Sequence, residues 1–546
     1  MFIKKISMLY ALCSMLFLFG CAEQGSWHSE YGTAPAGQPS QIQSSLYYPE
    51  YNAYGGNYGG ASSYAPIAGS RNVSVLLPMS GPNAALGRGI ATSVSMAFLQ
   101  HRSDNITVTF HDLSGNKIQR QTVIANALAS GPDVIIGPIF AEDAAMLRDA
   151  KPSDLPALSF SSDMNAVGGG VMTMALMPTQ SVEEIVRQIR KDGAKGFVIL
   201  APNTGSGQLM AAAAVQSANL YDLPISGLFY YDEGGSESIK SAAQRASMFS
   251  ARSAANNKAR EILSEILRKE ALGPDQKISL NAQLDKLSKS DTLGGVPFDA
   301  ILFLGGANDS KSLASYLRYF DVGARDVAFY GTALWDTPEL LNDFTMTGAR
   351  FAALAPMSPD FSKLFEATAG NPPSRLDTFG FDAANLAIGM LHSTKQPAAY
   401  LLDPSGFKGL DGLFRLRPSG ISERALQVME LNGTGGARLV RAGAADFLTP
   451  AYNVQPREMS RPAEIALVSP GINPMDYIQI PDNLRGKYQS KTFGANMAPI
   501  QSQPPADAGQ VVILPEDDSD ILSSPEFQPI PLEPIDRRLI DNVEMN

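Results

Sequence analysis

Cysteine is almost absent from this chain. Only Cys13 and Cys21 occur, and both lie near the start. A framework of disulfides is therefore excluded for the remaining sequence. Histidine is scarce as well, and its four occurrences are scattered, so neither a metal cluster nor a Ser–His dyad is indicated. The four histidines are His28, His101, His111 and His392.

A surplus of positive charge is also missing, and so is any second long apolar run. The net charge of -11 argues against a nucleic-acid partner, because no basic stripe exists to displace phosphate counterions. Beyond residue 21 no run approaches the roughly 20 apolar residues that span a bilayer. Ser114 to Lys117 match the S-x-x-K pattern of penicillin-binding enzymes, but no K-T-G motif completes it. No catalysis, cofactor or metal is therefore predicted.

The first residues have the pattern of an export signal. Lys4 and Lys5 form a basic start, residues 6–19 are apolar, and the small Gly20 precedes Cys21. This order predicts a signal peptide over residues 1–20. Leu18-Phe19-Gly20-Cys21 resembles the lipobox of bacterial lipoproteins. The alternative is an ordinary signal peptide with an incidental cysteine.

The lipobox resemblance implies an anchor at Cys21. In such lipoproteins the signal is cut before the cysteine, which then carries acyl chains such as palmitate, and two or more chains hold a protein on a membrane. Cys13 would be removed with the signal. Ala22 after the cysteine, rather than Asp, favours the periplasmic side of the outer membrane over the inner membrane.

Composition separates two flanks from a globular centre. Residues 21–70 are rich in Gly, Ser, Gln, Pro and Tyr and predict a disordered, lipidated linker, because little apolar surface is available to offset chain entropy. Because the linker is rich in tyrosine, the alternative is a segment that docks on a partner or on glycan. Residues 442–546 predict an acidic, proline-rich tail.

The centre alternates short apolar runs with helical periodicity. Runs at residues 73–77, 106–110, 134–136 and 197–200 predict strands, and the intervening segments predict helices. Ser181 and Glu184 have the spacing of a capping box that opens one helix. Strands joined by crossover helices form parallel sheets, and there are too many here for one sheet. We therefore predict an α/β fold with two doubly wound parallel-sheet lobes.

Several segments then carry a family resemblance. "VSVLLPMSGPNAALGRGIATSVSMAF", "DVIIGPIFAEDAA" and "PALSFSSD" resemble type I periplasmic binding proteins of the leucine/isoleucine/valine-binding kind. "TLGGVPFDAILFLGG" after a helical insertion is similar to the lipoproteins called penicillin-binding-protein activators. The resemblance implies two Rossmann-like lobes within residues 71–441. Lobe one would comprise 71–178 and 357–410, and lobe two 179–356 and 411–441, with crossings near Pro178, Pro356 and Leu410 and a helical insertion at 236–297.

The resemblance also indicates where a ligand cleft would lie. Transport members bind a ligand's carboxylate with hydroxyls and helix N–H groups, and balance its ammonium with an acid from the second lobe. The loop "IFAED" has no hydroxyl at the place where transporters have one, and polar residues at helix starts are also ordinary caps. The candidate cleft residues are Ser80, Ser161, Ser162, Asn203 and Asp309.

Two functions follow from the resemblance. The first is a lipid-anchored, non-catalytic periplasmic regulator or scaffold that activates a penicillin-binding protein in peptidoglycan synthesis. The alternative is a solute-binding lipoprotein of a branched-chain amino-acid ABC transporter. The insertion at residues 236–297 favours the regulator or scaffold, because an adaptor needs an added face for a protein partner. The insertion could equally be a helical hairpin packed on lobe two, with Ile262, Ile266 and Leu267 as its apolar stripe.

Overall fold

The computed structural model describes residues 40–42, 71–101, 105–433, 435–447, 461–468 and 471–492. The predicted signal, Cys21, and most of the linker and tail lie outside the described residues. By compactness the chain divides into residues 1–486 and 487–546. Both lobes belong to the first of these two units.

Lobe one begins with a six-stranded sheet whose order is β1-β3-β2-β4-β5-β6. Its strands are β1 (Ser40–Ile42), β2 (Arg71–Leu77), β3 (Ile106–Asp112), β4 (Val134–Ile136), β5 (Ala157–Ser159) and β6 (Val171–Thr173). Strands β2 to β6 are parallel, and β1 joins the edge of β3 in the antiparallel sense. The intervening helices are α1 (Ala84–His101), α2 (Lys117–Ala129) and α3 (Ala141–Ala150).

Lobe two repeats the same construction. Its parallel strands are β7 (Phe197–Pro202), β8 (Ile225–Tyr231), β9 (Ala300–Phe303), β10 (Ala328–Gly331) and β11 (Arg350–Ala353). Its helices are α4 (Pro178–Lys191), α5 (Gly205–Leu220), α6 (Ser236–Ala246), α7 (Phe249–Lys269), α8 (Pro274–Ser288), α9 (Ala307–Tyr319) and α10 (Pro338–Leu341). All residues of β7 and β9 are buried, as expected for strands covered on both faces.

The chain then returns to lobe one before it completes lobe two. Three helices follow along the chain: α11 (Pro359–Ala369), α12 (Arg375–His392) and α13 (Pro397–Leu401). Of these, α12 packs along α1. Strands β12 (Phe407–Gly409), β13 (Gly412–Leu416) and β14 (Ser422–Arg424) form a small antiparallel sheet. Strands β15 (Gln427–Leu431) and β16 (Ala437–Arg441) then extend the second sheet beside β11, which gives the order β16-β15-β11-β10-β9-β7-β8.

The predicted fold class is confirmed: two parallel sheets flanked by helices form a two-lobed α/β structure. The number of crossings between the lobes and the residues at which each lobe ends stay a prediction. The start of α4 differs from the predicted capping box. The helix begins at Pro178, whose missing N–H costs nothing at a first helical position, and the Ser181 hydroxyl donates to the Pro178 carbonyl at 2.8 Å.

The interval predicted as one helical insertion contains two kinds of helix. Helix α6 belongs to the core of lobe two, where Ile239, Ala242 and Ala246 are buried among the apolar residues of the sheet. Helices α7 and α8 pack on each other and form a hairpin joined by residues 270–273. Within the stripe, Ile262 and Ile266 are buried and Leu267 is half-buried. The name "hairpin" below means α7, residues 270–273 and α8.

Part of the predicted tail packs on lobe two. Ile465 pairs with Leu228 on β8, with N···O distances of 2.9 and 3.0 Å in the two directions. Residues 461–468 and 471–486, called the strap below, lie between this sheet edge and the hairpin. The last residues of the strap belong to the first part of helix α14 (Asp482–Thr492). None of the helices in the described part of the chain combines the length and apolar character that crossing a bilayer requires.

Candidate functional site

Lobe one has a cavity of about 280 Å³ where the loops after β2, β3 and β4 converge. This is the carboxyl end of the parallel strands, where ligands bind in doubly wound sheets. Ser80 lines it and is held in place by Asp112 at the end of β3, which accepts from the Met79 N–H at 2.8 Å and the Ser80 N–H at 3.3 Å. The Ser80 and Ser114 hydroxyls are 2.6 Å apart.

The start of α3, on the same cavity, has two carboxylates. Arg120 on α2 donates through Nη2 to Glu142 and through Nε to Asp143, both at 2.6 Å. Lys117 lies 3.1 Å from the other oxygen of Glu142. Lys117 and Arg120 hold the pKa of Glu142 below its usual range. Burial raises the pKa of Asp143, and its bond with Arg120 opposes that rise.

These contacts leave little at this helix start for an incoming anion. A helix N-terminus favours negative charge, and in α3 the Glu142 and Asp143 carboxylates of the chain itself occupy the first turn. An added carboxylate would meet them at close range, and Arg120 already has partners for three of its donors, including the Gly115 carbonyl at 2.8 Å. The cavity is therefore poorly suited to the carboxylate of an amino acid.

Ser161 and Ser162 follow β5, outside this cavity lining. Ser161 is buried; its hydroxyl accepts from the Asp163 N–H at 3.2 Å and its carbonyl accepts from the Thr173 hydroxyl at 2.5 Å. Ser162 beside it is exposed. The buried Ser161 therefore supports the turn between β5 and the following 3-10 helix Met164–Ala166.

The two candidates in lobe two are also engaged locally. Asn203 is exposed and its side-chain oxygen accepts from the Gln208 amide at 3.2 Å. Asp309, in the first turn of α9, accepts from the Gly234 N–H at 3.2 Å. No hydrogen bond between described residues joins any two of Ser80, Ser161, Ser162, Asn203 and Asp309.

Tyr231, at the carboxyl end of β8, is a polar residue that was not predicted from the sequence. It ends β8 and is 1% exposed, and its hydroxyl has no hydrogen-bond partner among the described residues. Burial, together with the carboxylates of Asp309 and Glu233, raises the pKa of this hydroxyl. A Cβ at Gly305 would lie 2.0 Å from it, so a glycine is required there. The apolar pattern of β8 gave no signal for this hydroxyl.

Arg375 is a second residue that was missed, and it connects the lobes. It begins α12 in lobe one and donates to Asp411 at 2.5 Å, to the Ala355 carbonyl at 2.9 Å and to Asp336 in lobe two at 2.8 Å. Burial alone would lower the pKa of Arg375, but the carboxylates of Asp411 and Asp336 raise it. The helix dipole disfavours a cation in the first turn of a helix. The position of Arg375 in the sequence was therefore a sign that it has a specific partner.

No cluster of three or more His, Cys, Asp or Glu suited to a metal ion occurs within the described ranges. What the candidate site offers is hydroxyls and paired charges without an evident nucleophile–base pair.

A sequence model of the family described as periplasmic binding protein matches residues 71–435. No curated protein matches the chain. Among solved structures, a putative branched-chain amino acid ABC transporter from Rhodospirillum rubrum is 14% identical with a TM-score of 0.52, over 68% of this chain and 100% of that one. Full-length LpoA from Haemophilus influenzae is 18% identical with a TM-score of 0.46, over 68% of this chain and 59% of that one.

A further structure, the leucine-binding protein LivK of Thermotoga maritima, is 14% identical with a TM-score of 0.43, over 69% of this chain and 99% of that one. At such identities a solved structure can support the fold alone. The family model, in contrast, spans well over half of the sequence. The chain therefore belongs to the periplasmic binding protein family.

Proposed function

We propose that this periplasmic protein is a non-catalytic regulator or scaffold, anchored by lipid at Cys21, that activates a penicillin-binding synthase of peptidoglycan. The observation that carries the proposal is the start of α3, where Glu142 and Asp143 are paired with Arg120. A transport protein for amino acids needs that position for the carboxylate of its ligand. Here the chain's own carboxylates occupy it, so the lobes serve better as a scaffold than as a carrier.

The hairpin supports the same proposal. A solute carrier needs little beyond two lobes and a cleft, whereas this chain adds α7 and α8 to lobe two and packs the strap against them. The synthase as partner comes from the sequence resemblance of "TLGGVPFDAILFLGG" to penicillin-binding-protein activators. The anchor at Cys21 and the outer membrane as its place come from the lipobox and from Ala22.

A second candidate is favoured by the cavity itself. About 280 Å³ with Ser80, Ser114 and Asn83 on its lining is a suitable volume for a small polar solute. The alternative function is therefore a solute-binding lipoprotein of an ABC transporter. The two candidates differ in what must bind: a protein in the first, a small molecule in the second.

One experiment with two arms tests both. In the first, the purified chain is added to a purified penicillin-binding synthase from the same envelope, and glycan polymerisation and cross-linking are followed on lipid-linked precursor. We expect a several-fold increase in rate; an unchanged rate would overturn the proposal. In the second arm, leucine, isoleucine and valine are screened by thermal unfolding.

For the second arm we expect no shift in melting temperature. A ligand at one hundred times its dissociation constant would add about 2.7 kcal/mol to the free energy of unfolding, which is readily detected. A clear shift with one of the three amino acids, together with no effect on the synthase, would favour the transport function instead.

A further inference from the structure

Two buried polar side chains hold the base of the hairpin: Arg252 bonds it to lobe two, and Asn256 joins its two helices to each other. Arg252 donates to the carbonyls of Gly294 at 3.0 Å and of Phe320 and Asp321 at 3.2 Å each. Asn256 donates to the Leu287 carbonyl at 3.2 Å and the Ser290 carbonyl at 2.6 Å, which satisfies the end of α8. The hairpin is therefore held firmly at its base.

The strap supports one side of the hairpin. Its 3-10 helix Pro474–Asp476 packs against α7, and Gln479 exchanges two hydrogen bonds with Gln283 on α8, at 2.7 and 2.9 Å. Ile262 and Ile266 of α7 and Leu280 and Leu287 of α8 are buried. The apolar face of the hairpin is thus used within the protein.

The remaining side of the hairpin is an open groove of about 700 Å³ between the two helices. Its lining residues recur every three or four positions along α7 and along α8, so they form one continuous stripe on each helix. Most of the side chains are short and polar, which leaves room for a third element to approach. The hairpin groove includes Asn257, Arg260, Glu261, Ser264, Asp285 and Ser288.

Arg260 is the unbalanced charge of this groove. The groove's carboxylates have local partners, since Glu261 pairs with Lys258 at 2.9 Å and Asp285 with Lys289 at 2.6 Å. In contrast, no ion pair joins Arg260 to a described carboxylate, and its Nε is buried without a hydrogen-bond partner among the described residues. A buried donor left unpaired is costly, and a ligand that supplies an acceptor recovers that cost.

The hairpin also differs in charge from the protein as a whole. Residues 249–288 contain seven Lys or Arg and five Asp or Glu, a net charge of +2, whereas the whole chain has -11. A positive surface on a negative protein attracts an acidic partner and orients its approach. The guanidinium fork of Arg260 matches the two oxygens of a carboxylate.

We propose that the hairpin groove docks an acidic α-helical segment of a protein partner, one of whose carboxylates binds Arg260. This inference rests on the proposed function, in which the partner is the penicillin-binding synthase. A helix fits because the groove runs along two neighbouring helices and most of its side chains are short. A third helix can therefore pack between the two. The strap and the side chains of Arg252 and Asn256 hold the groove in shape before binding, which reduces the conformational entropy lost on binding.

The test measures the dissociation constant of the purified full-length chain with the purified synthase by biolayer interferometry. The variants are Arg260→Gln and Arg260→Glu. The matched controls are Arg268→Gln and Arg268→Glu, on the same helix but exposed and outside the groove. We expect the Arg260→Gln constant to rise at least tenfold and the Arg260→Glu constant to rise further, while both controls stay within twofold of the parent.

Each other outcome is decisive. If the parent binds the synthase and the Arg260 variants bind equally well, the groove is not the docking site, but the proposed function stands. Equal losses of affinity in the Arg260 and Arg268 variants also refute the groove as the docking site. No binding by the parent overturns the proposed function together with this inference. If the Arg260 variants melt early, hydrogen exchange on the parent decides: added synthase must protect residues 257–264 and 281–288, and unchanged exchange there refutes the site.

Discussion

Removing Arg375 should destabilise the protein far more than removing its partly exposed partner Asp336. The Asp411 side chain is fully buried, and it is held by Arg375 at 2.5 Å and by the Thr378 hydroxyl. Arg375→Ala would leave this carboxylate buried beside the hydroxyl alone. Breaking a buried pair from one side costs about 3–5 kcal/mol, and we expect the lower end because Arg375 is 29% exposed.

Asp336 provides the matched comparison. Its side chain is 29% exposed, and its pair with Arg375 at 2.8 Å is of the partly solvated kind. Asp336→Ala should therefore cost less than about 1 kcal/mol. In an Asp411→Asn background the cost of Arg375→Ala should fall, because no unpaired carboxylate remains; the coupling between the two changes should reach about 0.5–3 kcal/mol.

Urea unfolding followed by tryptophan fluorescence measures these differences. The chain has only two tryptophans, and Trp335 is fully buried next to Asp336, so the signal reports the neighbourhood of the contact. Free energies come from linear extrapolation at matched slopes. Equal losses for Arg375→Ala and Asp336→Ala, or a loss below about 1 kcal/mol for the former, would refute the reasoning.

Two further predictions concern the hairpin and the anchor. Ile266→Ala should lower the free energy of unfolding by about 2–5 kcal/mol, because Ile266 is fully buried. The control Ile278→Ala, at a residue of α8 that is 68% exposed, should change it by less than about 0.5 kcal/mol. Similar values for both variants would show that α7 does not pack as described. Cys21→Ser should move the protein from the membrane fraction to the periplasmic extract, as judged by immunoblot after a high-salt wash. A variant that still sediments would contradict the lipid anchor.

The parallel strands were the most predictable part of the fold. Runs such as residues 134–136 and 197–200 are apolar because both faces of the strand are covered, and the same cause makes them recognisable in the sequence. The start of α4 was misplaced because a capping-box pattern at Ser181 and Glu184 competes with Pro178 three residues earlier. Local patterns identify an element more reliably than its first residue.

Contacts between distant segments could not be predicted in the same way. Glu464 accepts from the Tyr230 N–H at 2.9 Å and pairs with Arg245 at 2.7 Å, although more than two hundred residues separate it from both. No periodicity marks such a segment, because single contacts rather than a repeated apolar face hold it. The turn after β2 could be predicted from its sequence, whereas the pairing of Arg120 with Glu142 and Asp143 required the positions of two helices.

Pairing at the sheet edges bears on how copies of this protein behave when they are crowded together. An unpaired edge strand exposes a row of N–H and C=O groups on which another chain can add a strand. Here β1 pairs with β3 at one edge, and Ile465 pairs with Leu228 on β8 at another. At a third edge β16 has the charged side chains Arg438 and Arg441, which discourage strand addition. These contacts therefore leave fewer unpaired backbone groups on β3 and β8 to which a neighbouring copy could add a strand.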